Sequence, residues 1–179
     1  MSRKDALGPA LATIVLLLVV APAAATAADC AHSGDLVTAL SAPDRRAALL
    51  CVIDAERAAR DLPLVRESAQ LERAAQGHAD DMVARHFFEH VTPGGSTLGD
   101  RVHATGYIAG RPDWELGEAI AWAQQPLDTP VTLMRAWLAS PEHRANLLRA
   151  GYKRIGIGIA RGTFQGYDGA TIVTADFAG

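Results

Sequence analysis

The stretch Trp137-Leu-Ala-Ser-Pro-Glu-His-Arg-Ala-Asn-Leu-Leu148 constrains this chain more than any other. Ser140 followed by Pro141 reads as a helix start, because serine caps free N–H groups and proline is pre-set for the first helical position. Thr129-Pro130 upstream carries the same signature, so one helix must end where the next begins. His143 then falls in the first turn of the second helix, beside the positive end of its dipole. That position biases the imidazole toward its neutral, metal-binding form.

The rest of the chain reads as helices first and strands last. Asp44 is positioned to cap a helix running to about Arg60, with Leu49, Val52, Ile53 and Ala59 on one face and a Glu56–Arg60 pair outside. Ser68 caps the next. Its apolar side is Leu71, Ala74, Ala75, His78, Ala79, Met82 and Val83, the clearest helical period in the chain. His78 is expected there as a satisfied core histidine. Thr97-Leu-Gly-Asp100 is a capping box for a short helix to about Ala104. Strands are expected over 154–160 and 170–177, with a further candidate over 114–121. The glycines of Ile155-Gly-Ile-Gly158 would let a helix or another backbone approach closely. Helices on a small, mainly antiparallel sheet predict an α+β fold.

The chain ends set the compartment. Arg3 and Lys4, the apolar run Leu11–Val20 and the small residues Ala25-Thr-Ala27 read as a signal peptide over 1–27. Residues 28–44 are expected as an N-terminal arm and 45–179 as one domain, with no membrane span after cleavage. Export favours a bridge between Cys30 and Cys51, worth about 3 kcal/mol in the chain-entropy model. The alternative is two free thiols, with Cys51 packed in the core. The net charge of −3 and the lack of a basic run exclude nucleic acid as a partner.

Several segments, taken in order, resemble the bacterial branch of the CAP superfamily (cysteine-rich secretory proteins, antigen 5 and pathogenesis-related proteins; the SCP-like domain). They are Asp54-Ala-Glu-Arg57, Phe88-Glu-His90, Gly94-Gly-Ser-Thr97, Gly117-Glu118, Trp137–Leu148, Ile155-Gly-Ile-Gly158 and Thr174-Ala-Asp-Phe177. The resemblance implies a three-layer α-β-α sandwich with a cleft on one side. It carries His90, Glu118 and His143 into that cleft as candidate ligands for Zn or Mg, with Ser140 and Asn146 as neighbours; Trp122, four residues after Glu118, is expected to line the cleft as well. Two imidazoles and a carboxylate can hold Zn²⁺ and leave a place for water. Ala119 stands where the family has asparagine after Gly-Glu, and Ser140 where eukaryotic members often carry a second glutamate.

The implied function is a secreted module, extracellular or periplasmic, that binds a lipid or small molecule or a cell-surface protein. A metal-dependent extracellular hydrolase using the same cleft is the alternative, so catalysis stays open. His86-Phe-Phe-Glu-His90 also matches the spacing of a zinc-peptidase helix. Pro93-Gly94-Gly95 ends any helix too early for both histidines to share a face.

Overall fold

The computed structural model describes residues 26–179. The expected signal peptide lies almost wholly outside the described residues. Elements follow in the order α1 (Ala42–Ala58), β1 (Arg66–Glu67), α2 (Ala69–Arg85), α3 (Leu98–Ala104), β2 (Leu116–Ala123), α4 (Pro130–Ala139), α5 (Pro141–Leu147), β3 (Arg154–Phe164) and β4 (Tyr167–Ala178). The four strands form one sheet in the order β1-β3-β4-β2. Only the two-residue β1 runs parallel to its neighbour. It was not foreseen, because two polar residues carry no period.

Strand alternation sorts the sheet into two faces. Ile155, Ile157 and Ile159 of β3 join Val173, Ala175 and Phe177 of β4 in one core cluster with Leu49, Val52 and Ile53 of α1 and Leu133, Met134 and Trp137 of α4. On the other face lies α2. A Cβ on Gly156 would collide with the backbone at Leu71–Glu72, and one on Gly158 with the backbone at Ala75–Gln76. The helix therefore rests directly on the two glycines. The result is the expected sandwich, with α1 and α4 below the sheet and α2 and α3 above it.

Local chemistry sets the element ends. The cap of α1 is Ser41, whose Oγ accepts from the N–H of Asp44. The helix thus starts earlier than Asp44 would allow, with Pro43 in its first turn and Ala59 at its exposed end. Ser68, Thr97, Thr129 and Ser140 cap α2, α3, α4 and α5. Thr97 takes the α3 role, so Ser96 is free of capping duty. His86 ends α2 with φ 55°, and residues 87–97 are irregular, so His86 and His90 share no helix. Cys30 and Cys51 are bonded, tying the arm to α1.

The sheet edges are closed by side chains. Residues of β2 that face away from β4 leave carbonyls unpaired. Asn146 Nδ2 donates to Glu118 O at 2.8 Å, and Trp137 Nε1 donates to Ile120 O at 3.0 Å. On the opposite edge Gln76 makes both bonds to the N–H and C=O of Ile159. Arg57 is fully buried and donates to four carbonyls, those of Pro63, Leu147, Arg149 and Tyr152. It joins α1 to the turn after α5.

Candidate functional site

Glu118 leaves β2 on the α2 side of the sheet, and its side chain is only 3% exposed. Gly117 before it has a local reason. A Cβ there would overlap Tyr152 Oη and Asn146 Oδ1, which are themselves hydrogen-bonded at 2.8 Å. Asn146 therefore fixes the backbone at Glu118 with its amide while Tyr152 holds the amide. The neighbouring Ala119 is buried in the core on the opposite face. An asparagine there would point away from the glutamate, and Asn146 performs the orienting task instead.

Both carboxylate oxygens of Glu118 are engaged. His90 Nδ1–H donates to Oε1 at 2.6 Å, and Arg101 Nη2 donates to Oε2 at 2.6 Å. Arg101 is further held by the carbonyls of His90 and Ser96. His78 Nε2 lies 3.8 Å from Oε2 and donates to Glu89 O at 3.0 Å. Since Nε2 carries the proton, Nδ1 is a buried acceptor without a partner. The expected core histidine is thus half satisfied, and it belongs to this cluster.

Asp176 completes the group. It sits directly across from Glu118 in the β2–β4 pairing, so alternation sends both carboxyls to the same face. Asp176 is fully buried, and no donor faces either of its oxygens. Burial, reinforced by the charge of Glu118, pushes its pKa well above the usual carboxylate value. Burial also pushes Glu118 upward, but the bond from His90 and the charge of Arg101 outweigh it and hold the group ionised. The bond to Glu118 raises His90 despite burial. His78 is lowered by burial.

The predicted trio is only partly brought together. His90 and Glu118 are in contact and, with Val91 and Leu98, line a recess of about 350 Å³. His143 lies in the first turn of α5, where its N–H donates to Ser140 Oγ at 3.5 Å. Burial and the charge of His90 lower its pKa. No hydrogen bond joins it to His90 or Glu118 among the described residues. Trp122 belongs elsewhere. Its ring packs on Phe164 and Tyr167 at the far end of the sheet, four residues beyond Glu118. Arg101, His78 and Asp176 escaped sequence reading, because only strand pairing and the α2–α3 packing bring them to Glu118. An acid inside the β-branched run of β4 was the one available signal.

A metal needs lone pairs that face a common point. Here Arg101 and His90 take both oxygens of Glu118, and among the described residues no three His, Cys, Asp or Glu side chains converge as ligands. The arrangement as it stands does not fit a His90–Glu118–His143 metal centre. It fits a buried anion already neutralised by a guanidinium, presenting one half-exposed imidazole to solvent.

Several known proteins are similar to this chain in sequence or fold. An extracellular protein of Bacillus anthracis containing an SCP domain is 28% identical, with TM-score 0.58 over 77% of this chain and 43% of its own. An outer surface protein of Borrelia burgdorferi matches with TM-score 0.64 over 78% of this chain and 95% of its own, at 20% identity, a likeness of fold alone. Two curated Bacillus subtilis proteins match in sequence. The uncharacterized protein YkwD is 29% identical over 59% of this chain. The uncharacterized membrane protein YlbC is 34% identical over 49%. The chain spans only 38% and 23% of the lengths of these two relatives. The model of the cysteine-rich secretory protein family matches residues 50–177. Carrying that match on the fold it implies, the chain belongs to the CAP, or cysteine-rich secretory protein, family.

Proposed function

We propose that this chain is an exported CAP module that binds a small amphiphile in the recess at His90. The carrying observation is the pairing of Glu118 with both His90 and Arg101 at 2.6 Å. A buried carboxylate held this way pre-organises His90 as a fixed hydrogen-bonding post, while Val91 and Leu98 supply aliphatic wall. His143, in the first turn of α5, feels the charge of His90, which with burial lowers its pKa. Export is supported by the residue 1–27 pattern, by the closed Cys30–Cys51 bridge and by the extracellular Bacillus anthracis relative.

Palmitate titration by calorimetry tests this reading, with zinc and magnesium titrated alongside. Palmitate is expected to bind, and His90→Ala to weaken it about tenfold, one good hydrogen bond to a charged group. Palmitate binding that ignores His90→Ala would place the site elsewhere. Stoichiometric zinc binding that disappears in a His90→Ala/His143→Ala variant would replace the proposal with the metal-cleft reading and call for a hydrolase screen.

A further inference from the structure

A groove of about 640 Å³ lies between α2, α3 and the loop that joins them. Its lining shares no residue with that of the His90 recess. Arg73, Arg85 and Arg101 line it, together with Ser96, Thr105 and Gly77. Asp81 is the one acid in the lining, and it is spent on Arg85 at 3.1 Å. Three guanidiniums thus line one groove of a chain of net charge −3, Arg85 being paired with Asp81 and Arg101 with Glu118. Arg73 is exposed and no carboxylate pairs with it among the described residues. The Nε–H of Arg101 is buried without an acceptor.

Gly77 is the second, independent observation. It lies in the middle of the 17-residue α2, where glycine weakens a helix relative to alanine. The glycines of β3 have a packing reason, but a Cβ on Gly77 would meet nothing within 4 Å. Its effect is to leave the groove floor open.

We propose that this groove binds a phosphate-bearing polyol, either a free phosphorylated sugar or glycerol or the same group on a lipid head. Guanidiniums match phosphate oxygens in a fork. The hydroxyl of Ser96 makes no hydrogen bond within the protein among the described residues, and that of Thr105, which donates to Val102 O, keeps its acceptor lone pairs for a polyol. The acidic net charge and the short basic stretch favour a small anion over a nucleic acid.

The test uses glycerol 3-phosphate in solution and, separately, phosphatidylglycerol vesicles against phosphatidylcholine vesicles. Arg73→Glu and Gly77→Leu are the site variants. Arg135→Glu, on the exposed side of α4, carries the same charge change on the opposite layer. Circular dichroism checks the fold, and Gly77→Leu is expected to keep or raise the melting temperature. Binding of either probe should fall at least about tenfold in both site variants and hold in Arg135→Glu. Binding of the soluble probe identifies a free phosphorylated ligand, and binding of the vesicles alone identifies a lipid head. No binding of either probe, or equal loss in Arg135→Glu, overturns the proposal.

Discussion

The two faces of one sheet obey opposite packing rules. Toward α1 and α4 the strands present Ile155, Ile157, Ile159, Val173 and Phe177, and the space between layers is filled by side chains. Toward α2 the same strands present Gly156, Gly158, Thr174 and Asp176, with Glu118 from β2. There the helix backbone fills the space over the glycines and the buried groups around Glu118 are polar, while Ile120, Ala160 and Ile172 pack on Ala79 and Met82 farther along the same face. The lower face holds the fold by volume. The upper face holds a charge in place, and that is where both candidate sites lie.

The sharpest way to break this contrast is to remove the cation from the upper face. Arg101→Met leaves Glu118 buried with the half-exposed His90 as its one hydrogen-bond donor and His78 3.8 Å away. Losing one partner of a buried pair costs about 4 kcal/mol. Urea unfolding measures it. Adding Glu118→Gln should recover most of that loss, because the uncompensated charge is then gone. If the double variant is as unstable as the single one, Arg101 acts through packing alone.

Size changes should act with opposite sign on the two faces. Ile157→Ala opens a cavity in the lower core and costs about 3 kcal/mol. On the upper face the damage comes from adding atoms. Gly158→Ala drives a methyl into the backbone of α2 and costs about 2 kcal/mol. Thermal melts of both variants compare them directly. A neutral Gly158→Ala would mean that α2 can lift without loss.

This asymmetry explains what was legible beforehand. Helix α2 could be read from its period, the caps Ser68, Thr97, Thr129 and Ser140 from their chemistry, and the close approach over Gly156 and Gly158 from glycines inside a strand. Each of these signals is local. The upper-face cluster is not. Arg101 meets Glu118 across 17 residues of sequence, and Asp176 meets it only through the register of β2 against β4. The cap of α1 was misplaced because Ser41 and Asp44 are both good capping residues, and Pro43 between them fits only the earlier start. Trp122 was placed in the cleft by nearness in sequence, although a strand carries four residues well over ten ångströms.

Asp176 gives a smaller effect with a diagnostic sign. Its folded pKa lies above the ordinary 3.8. Such a group contributes fully below its unfolded pKa, and the contribution fades as pH rises toward the folded value. At neutral pH the acid is therefore a burden on the fold. Asp176→Asn keeps the size of the side chain and removes that burden, so stability at pH 7 should rise by on the order of 1 kcal/mol. The gain should shrink as pH falls toward 4. A loss of stability at pH 7 would instead mean that Asp176 is held as an anion.

The finest test separates the two cleft histidines by their titration. His90 is raised above its ordinary 6.5, first by its bond to Glu118. His143 is lowered, first by burial and then by the charge of His90. Imidazole proton resonances should show His143 losing its proton at lower pH than His90. For a raised histidine the stabilising contribution is complete below 6.5 and is lost as pH climbs through the folded value. His90 is half exposed, so solvent screens the pair and the stability change is small, but the resonance shift is not. Glu118→Gln removes the carboxylate that does most to raise His90, leaving burial and the charge of Arg101, which lower it, against the weaker charge of Glu89. Its midpoint should therefore drop to 6.5 or below, while His143, no longer facing a protonated neighbour at that pH, should move up toward it. Convergence of the two midpoints in Glu118→Gln would identify Glu118 as the group that sets both. Unchanged midpoints would mean that the 2.6 Å contact does not persist in solution.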